Sequence, residues 1–358
     1  MKICYVTEMG YKGKYPRDWK MMRTEQAWPC ALEADCFPFT ENPPGHYDLA
    51  IVVIPKTNID AWMANNTFEK IKRYADKIAI MQEGPHWCFQ DYNLQQQIWY
   101  FNAIRKADFL YVHNRSDVKY YKGITGKEDV RILPTLMIED SIKDLPNEDR
   151  SGIMIGGNFV SWYGGFDSFI VAKSIDEKVF SPQMGRRQEE EAQLGITQLP
   201  YMQWVDWIKE LNKRKFAIHL MRTHAAGTFA LNCAYLGIPC IGYEGLDTQE
   251  KCHPYLTVKL GDLDKAKKLI TQLKSNSDFY SECSSIAEEN YNSIRKHQDN
   301  HEVQICVADD ASSDGTWEWC QEMMDKDPHF SAILNNTGKR LGHTILYDRL
   351  INEVATHD

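Results

Sequence analysis

The sequence FAIHLMRTHAAGTFALNCAYLGIPCIGY, residues Phe216–Tyr243, decides the fold class. It begins with the apolar run Phe216–Met221, which is typical of a buried strand. A polar turn then leads to Gly227–Leu236, which has a helical pattern and is ended by Gly237. The apolar run Ile238–Ile241 predicts a second strand. Strand, helix and strand in this order predict a βαβ unit with parallel strands.

The same alternation continues on both sides of this unit. Downstream and upstream within 150–298, we expect strands and helices at Gly152–Ile155, Ser168–Ile175, Val179–Phe180, Trp204–Asn212, Tyr255–Lys259, Asp262–Lys274 and Phe279–His297. In 1–145, further elements are expected at Ile3–Val6, Trp19–Ala34, Leu49–Ile54, Ala61–Tyr74, Ile78–Met81, Leu110–Val112 and Val130–Leu133. The Pro- and Asn-containing stretch Asp140–Ser151 between the two series is typical of a linker.

We therefore expect an α/β fold with two Rossmann-like domains that face a cleft. The first domain is expected to cover residues 1–145 and the second 150–298, with a separate pattern in 299–358. Ligands of such sheets bind at the carboxyl ends of the strands.

Composition narrows the class of protein. The 358 residues suffice for two or three domains. With 41 basic and 50 acidic side chains, the net charge is −9, which disfavours a nucleic-acid partner held by bulk phosphate attraction. No apolar run approaches the roughly 20 residues of a membrane-spanning helix, and the amino terminus lacks the pattern of a secretory signal.

The ten cysteines do not form a metal-binding pattern, because none lies in a Cys-x-x-Cys pair. Several lie inside apolar runs, where a thiol behaves as a small buried hydrophobe. We expect free thiols, a cytoplasmic setting and no metal site.

The stretch after Phe216 resembles the nucleotide-sugar-dependent glycosyltransferases of the GT-B fold. Their second domain carries Glu-x7-Glu, a helix of small residues and Gly-x-Pro-Val. Here the frame is His224-x7-Asn232, followed by Gly237-Ile238-Pro239, so both glutamates of the family are replaced. The resemblance implies a nucleoside diphosphate sugar as co-substrate, a UDP- or GDP-sugar, with no permanently bound cofactor and no metal in this part.

The residues around this frame are the candidate donor site. Amides at the helix start, with Gly227 allowing close approach, suit a diphosphate, and Arg222 is the first candidate for its counter-charge, before Arg186 or Arg187. Asn232 is expected to hold the ribose, and His224 to contact phosphate or sugar. The complete set of donor-binding candidates is Gly156, Gly157, Asn158, Arg222, Thr223, His224, Gly227, Thr228 and Asn232. An ordinary crossover with a capped helix is the alternative interpretation.

Glu83 and His86 are the candidate catalytic residues. They follow the expected strand Ile78–Met81, at the sheet edge where an acceptor-activating group belongs. A strand followed by Gly156-Gly157-Asn158-Phe159 also resembles the β-glucosyltransferases with which T-even phages modify their DNA, and that likeness implies Glu83 as the base. A Gly-Pro turn with a capped acid and a half-buried histidine is an equally open interpretation.

The stretch VADDASSDGT, Val307–Thr316, resembles the nucleotide-binding strand end of inverting GT-A glycosyltransferases. The resemblance implies contacts from Asp309, Asp310 and Asp314 to base and ribose. We expect a strand at Val303–Val307, a helix at Trp317–Met324, a strand at Ala332–Leu334 and a helix at Ile345–Val354. The family's Asp-x-Asp would lie beyond Asp358, so this fragment is not expected to catalyse alone.

These patterns favour a hexosyltransferase-like enzyme that moves a sugar from a nucleoside diphosphate sugar to a hydroxyl acceptor. A glycan, a lipid-linked sugar or a protein is the expected acceptor, and hydroxylated DNA bases are the second choice. A non-catalytic nucleotide- or sugar-binding scaffold stays open, because the family's glutamates are replaced. A dinucleotide oxidoreductase is disfavoured, because the turn after Ile3–Val6 lacks Gly-x-Gly-x-x-Gly.

Overall fold

A computed structural model gives the structure of most of the chain. It describes residues 1–7, 12–22, 24–54, 59–82, 86, 89, 92–146, 149–160, 163–183, 187–299, 305–309, 316–326 and 330–334. The chain divides into two compact units, 1–292 and 293–358. No helix in these described ranges is long and apolar enough to cross a membrane.

The first half of unit 1–292 is a parallel sheet with the order β2-β1-β3-β4-β5-β6. Its strands are β1 Ile3–Thr7, β2 Asp35–Pro38, β3 Tyr47–Ile54, β4 Ala75–Gln82, β5 Phe109–Val112 and β6 Val130–Ile132. Its helices are α1 Thr24–Ala31, α2 Ile59–Ala64, α3 Thr67–Ile71, α4 Leu94–Lys106 and α5 Arg115–Thr125. The apolar strands pack against Trp62, Tyr100 and Tyr121 of these helices, all of them almost fully buried.

The second half is a parallel sheet with the order β12-β11-β10-β7-β8-β9. Its strands are β7 Ile153–Ile155, β8 Val179–Ser181, β9 Thr197–Gln198, β10 Phe216–His219, β11 Cys240–Tyr243 and β12 Thr257–Val258. Its helices are α6 Gly165–Ala172, α7 Trp204–Asn212, α8 Thr228–Tyr235, α9 Asp247–Cys252, α10 Leu263–Ser275 and α11 Ser277–Asp299. The stretch that decides the fold is thus β10, α8 and β11, and β10 and β11 pair in parallel as expected.

The structure also differs from the sequence expectations in several elements. The expected helix Trp19–Ala34 is shorter, Thr24–Ala31, and the chain continues directly into β2, which no apolar run announced. The short elements β9 and α9 were likewise not expected, because two to six residues carry too little periodicity. Helix α6 begins three residues before the expected Ser168.

Besides the last residues of α11, the described part of unit 293–358 contains a parallel pair of strands and one helix. These are β13 Ile305–Asp309, α12 Thr316–Lys326 and β14 Phe330–Leu334, with Cys320 of α12 buried. The expected strand–helix–strand order is found there, and the first two residues of the expected strand, Val303 and Gln304, lie outside the described residues. The expected helix Ile345–Val354 lies outside the described residues.

A buried hydroxyl ties helix α6 to the end of β10. Ser168 is fully buried, and its Oγ donates to the Gly164 carbonyl at 2.9 Å. The same Oγ accepts from the Leu220 amide at 2.9 Å. This bond fixes the chain just after β10, two residues before Arg222.

We expect Ser168→Ala to lower the free energy of unfolding by about 2 kcal/mol, because it leaves the buried Leu220 amide without its acceptor. Urea unfolding monitored by circular dichroism measures the change. Ser275→Ala is the matched control, since Ser275 makes the same bond to the carbonyl four residues earlier, at 2.9 Å, on an exposed helix face. Equal losses in the two variants would contradict the expectation.

Candidate functional site

The carboxyl ends of the two sheets of unit 1–292 contact each other. The amino-terminal end of α5, which follows β5, meets the loop after β10: Ser116 Oγ lies 3.0 Å from His224 Nδ1. The Thr135 hydroxyl donates to the carbonyl of Ala226 in the same loop. Ligands of parallel sheets bind at these edges, so the candidate site lies where the two edges approach.

His86 forms a pair with a buried carboxylate at the edge of the first sheet. Its Nδ1 lies 2.8 Å from Asp117 Oδ1, and its ring stacks on Tyr120 with 4.3 Å between centroids. The Asp117 side chain is 3% exposed, whereas that of His86 is 32% exposed. A carboxylate bonded to Nδ1 fixes the tautomer and leaves Nε2 as the proton acceptor. Glu83, the other expected catalytic residue, lies outside the described residues.

The Gly-rich turn after β7 packs against its own half. The position of a Cβ on Gly156 would be 2.6 Å from the His219 ring, so Gly156 is needed for contact with His219. Gly157 has a left-handed backbone, with φ 76°, next to the Tyr163 carbonyl. Asn158 is 4% exposed; its Oδ1 accepts from the Val160 amide at 3.1 Å, and its Nδ2 has no partner among the described residues. In this structure these three residues build the turn, and their expected contact with the donor stays a prediction.

His219 is a buried neutral histidine beside this turn. It ends β10, its ring lies 4.9 Å from that of Phe229, and neither ring nitrogen has a partner among the described residues. Burial lowers the pKa of His219 to about 4. His253 of the same half is equally buried, and burial also lowers its pKa to about 4.

Arg222 is exposed at the carboxyl end of β10 and is held by Asp167. Its Nε and Nη2 reach Asp167 Oδ2 at 3.2 and 3.0 Å. Asp167 lies in the first turn of α6 and also accepts a hydrogen bond from the Tyr243 hydroxyl at 3.1 Å. Burial, and then the Asp167 carboxylate, raise the pKa of Tyr243 to about 12, so this hydroxyl keeps its proton. Arg222 was the first candidate for the counter-charge of the diphosphate, and in this structure its own charge is compensated by Asp167.

Gly227 directly precedes the first residue of α8, and the Thr248 side chain fills the space that a Cβ of residue 227 would need. A Cβ there would lie 2.1 Å from Thr248 Oγ1, and that hydroxyl donates to the Gly227 carbonyl at 2.9 Å. The glycine at this position is therefore required by the approach of Thr248, and the expected contact of Gly227 with the donor stays a prediction. Gly227 has no side chain that could cap α8, so the amides at the start of this helix are not capped by the residue that precedes it.

The remaining donor candidates lie around this helix start. Thr223 is 5% exposed, with its carbonyl bonded to the Ala225 amide. Half-buried His224 is held against Ser116. Asn232 was expected to reach a ribose, but it is 2% exposed within α8, and its Oδ1 has no partner among the described residues.

The remaining candidate residues are two arginines of the second half and three aspartates of unit 293–358. Arg187 donates from Nη2 to the Leu199 carbonyl at 2.7 Å, and its Nε lies 4.0 Å from Glu191 Oε2. Both contacts lie within residues 187–199. Arg186 lies outside the described residues. In the second unit, Asp309 ends β13, whereas Asp310 and Asp314 are also outside them. Within the described residues, no three His, Cys, Asp or Glu side chains form a metal-binding group.

Sequence reasoning missed Asp117, Asp167 and Tyr243. Asp117 and Asp167 each lie in the first turn of a helix that follows a strand, which is a signal that could have identified them. Tyr243 ends a buried strand, and its role depends on a neighbour 76 residues away, for which the sequence carries no local signal.

Comparison with solved structures identifies the fold. HepE from Anabaena, in complex with UDP-glucose, superposes with a TM-score of 0.58 at 12% identity, over 83% of this chain and 95% of that chain. An α-glucosyltransferase in complex with UDP-glucose and DNA containing an abasic site gives 0.57, at 12% identity, over 81% and 95%. WaaG, a glycosyltransferase involved in lipopolysaccharide biosynthesis, gives 0.55, at 12% identity, over 81% and 95%. This is the GT-B fold.

The expected fold class and the resemblance to GT-B proteins are thereby confirmed. The chain spans only about half of the length of some other matched structures, 53% in one case. Residues 279–347 match the sequence profile of glycosyl transferase family 2, which confirms the resemblance seen around Val307–Thr316. No curated protein matches the chain by sequence comparison.

We expect the stability of the chain to fall as the pH is lowered from about 6.5 to about 4. His219 and His253 have folded pKa values near 4, below the 6.5 of an unfolded histidine. In this window the unfolded chain binds more protons than the folded chain, so unfolding is favoured. His219→Leu should remove part of this loss, as measured by urea midpoints across the window.

His46→Leu serves as the control, because the His46 ring is exposed. Its Nε2 lies 2.7 Å from Asp76 Oδ1, which is also at the surface. If His219→Leu kept the full pH dependence of the unmodified chain, the buried ring would not be its source.

Proposed function

We propose that the chain transfers a sugar from a nucleoside diphosphate sugar to an acceptor hydroxyl. The observation that carries this proposal is the His86–Asp117 pair at the carboxyl edge of one sheet of a GT-B fold, next to the loop after β10 of the other sheet. The glycosyltransferases among the matched structures and the match of 279–347 to glycosyl transferase family 2 support it.

The donor is bound by the second half in this proposal. The diphosphate lies near the first amides of α8, and Arg222 turns from Asp167 to the departing phosphate. A UDP- or GDP-sugar acts as co-substrate, without a permanently bound cofactor and without a metal in this part. The complexes of HepE and the α-glucosyltransferase with UDP-glucose support a UDP-sugar.

The reaction is a displacement at the anomeric carbon. His86 Nε2 takes the proton of the acceptor hydroxyl, and the acceptor oxygen forms a bond to that carbon. The bond from the carbon to the diphosphate oxygen breaks, and the nucleoside diphosphate leaves with the electron pair. Asp117 stabilises the imidazolium that His86 becomes, and Arg222 stabilises the leaving charge.

A glycan, a lipid-linked sugar or a protein is the proposed acceptor. WaaG, which acts in lipopolysaccharide biosynthesis, supports this class. Hydroxylated DNA bases are a second candidate, favoured by the α-glucosyltransferase that was solved with DNA. The net charge of −9 counts against DNA, and an affinity for duplex DNA that does not change with salt would dismiss it.

The domain boundaries and the setting complete the proposal. Residues 1–145 and 150–298 are the acceptor and donor domains, and 299–358 belong to a GT-A-like segment that contributes Asp309, Asp310 and Asp314 to a nucleotide. We infer a cytoplasmic setting, because seven cysteines described by the structure are free and buried, namely Cys4, Cys30, Cys36, Cys233, Cys240, Cys252 and Cys283.

The affinity for UDP tests the donor site. Arg222→Ala should weaken UDP binding by on the order of tenfold or more, because a charge-assisted bond to phosphate is lost. Asp167→Asn should strengthen it, because the carboxylate that competes for Arg222 becomes neutral. Isothermal titration with UDP measures both.

Asp129→Asn is the matched control. Asp129 forms a similar exposed pair with Arg131, at 2.8 Å, but lies before β6, at the opposite edge of the first sheet. UDP affinity that is unchanged in both Arg222→Ala and Asp167→Asn would remove Arg222 from the donor site.

His86→Ala should lower sugar transfer by on the order of a hundredfold while UDP affinity stays the same, because the proton acceptor is lost but the donor contacts are not. Asp117→Asn should also lower transfer, since an amide does not stabilise the imidazolium. The rate of nucleotide release from UDP-sugars with a glycan acceptor is the measurement.

His46→Ala is the control, since His46 forms a histidine–aspartate pair with Asp76 at the amino-terminal edge of the same sheet. Transfer at the normal rate by His86→Ala would exclude His86 as the base. UDP-sugar binding without any release of nucleotide by the unmodified chain would favour the scaffold interpretation.

A further inference from the structure

Helix α5 begins without the cap that its sequence offers. Asn114 directly precedes the helix, and asparagine is among the best residues for capping a helix start. Its side chain makes no such bond to its own helix. Instead, Asn114 Oδ1 accepts from the Asp247 amide at 3.1 Å, and Nδ2 donates to the Ala225 carbonyl at 2.7 Å. Both partners belong to the second half of unit 1–292.

The Asp247 side chain in turn bonds the backbone at the start of α5. Its carboxylate oxygens accept from the Arg115 amide at 3.3 and 3.4 Å, and Oδ2 lies 3.4 Å from Arg115 Nε. Arg115 is the first residue of α5, and Asp247 is the first residue of α9. Each half therefore caps the first amide of a helix in the other half. Asn114 is 1% exposed, so its two bonds to the other half are shielded from water, whereas the bonds of Asp247 to Arg115 lie at the surface.

The reciprocal cap exists only while the two halves touch. When they separate, Asn114 can cap α5, and the Asp247 carboxylate, in the first turn of α9, still interacts favourably with the start of that helix. Both helix starts are therefore stabilised in either state, which lowers the free energy needed to separate the two halves.

The same turn of α5 reaches the candidate catalytic pair. Asp117, which bonds His86, lies three residues after Asn114, and Ser116 between them contacts His224. The Ala225 carbonyl bonded by Asn114 lies in the loop that leads to Gly227 and α8. The cap therefore sets the position of His86 relative to the loop that precedes the donor-binding helix.

We propose that Asn114 and Asp247 are positioning residues that latch the two halves together and align the His86–Asp117 pair with the donor. The alignment rests on the function proposed above, whereas the latch itself does not. Neither residue contacts substrate in this proposal; both act through α5 and the loop after β10.

The distance between the halves tests the latch. Fluorescent dyes are attached, through non-natural amino acids, at the exposed positions Glu128 and Lys259 of the full chain. Energy transfer is measured with and without UDP, for Asn114→Ala, Asn114→Ser and Asp247→Ala. Serine can still cap α5 but is too short to reach α9, so Asn114→Ser keeps the helix start and removes only the bond between the halves.

Two variants are matched controls, one in each half. Asn93 caps α4 by bonding the Gln96 amide at 3.0 Å, and Asp262 caps α10 by bonding the Lys265 amide at 3.0 Å. Asn93→Ala and Asp262→Ala lose a cap of the same type without touching the other half. They should keep the energy transfer of the unmodified chain.

We expect the three latch variants to shift the equilibrium toward the separated state by on the order of tenfold, with lower energy transfer and a lower kcat for sugar transfer. Affinity for UDP alone should change less than kcat. Energy transfer equal to that of the controls would overturn the latch. Reduced energy transfer in a chain that shows no sugar transfer would support the latch while rejecting the proposed function.

Discussion

The hydrogen bonds between the first turn of α5 and the loops after β10 and β11 are the contact on which the rest of the site depends. Parallel strands end at one edge of their sheet, and the helices that follow them begin there with unpaired amides. In this chain the two edges supply partners to each other through Asn114 and Asp247. The candidate catalytic pair and the loop before α8 consequently lie next to the same turn.

Charge compensation is the second constraint on the site. In the proposed function, this acidic chain needs a local cation for the diphosphate, and Arg222 is exposed at the carboxyl end of β10. Asp167 holds it, and Tyr243 in turn bonds Asp167 and stays protonated because burial raises its pKa to about 12. The guanidinium is thus fixed at the sheet edge before any ligand arrives, and a phosphate must compete with a carboxylate for it.

The sequence was sufficient for the fold class, but it did not predict every element, among them α4 and α5, and it was insufficient for the contacts. The apolar runs of β10 and β11, with Gly227 and Gly237 around α8, predicted the second sheet because each signal is local. The same reasoning did not predict that Thr248, 21 residues away, packs against Gly227. His86 was found from its place after a strand, but its partner Asp117 lies 31 residues further along the chain. Pairs of this kind depend on tertiary packing, which a single sequence does not encode locally.

A crystal structure with bound UDP tests the central claim most directly. The account predicts diphosphate oxygens about 3 Å from the Arg222 guanidinium and from the first amides of α8, with the bond from Arg222 to Asp167 lengthened or broken. UDP bound away from the contact between the two sheet edges, with the Arg222–Asp167 pair intact, would contradict it.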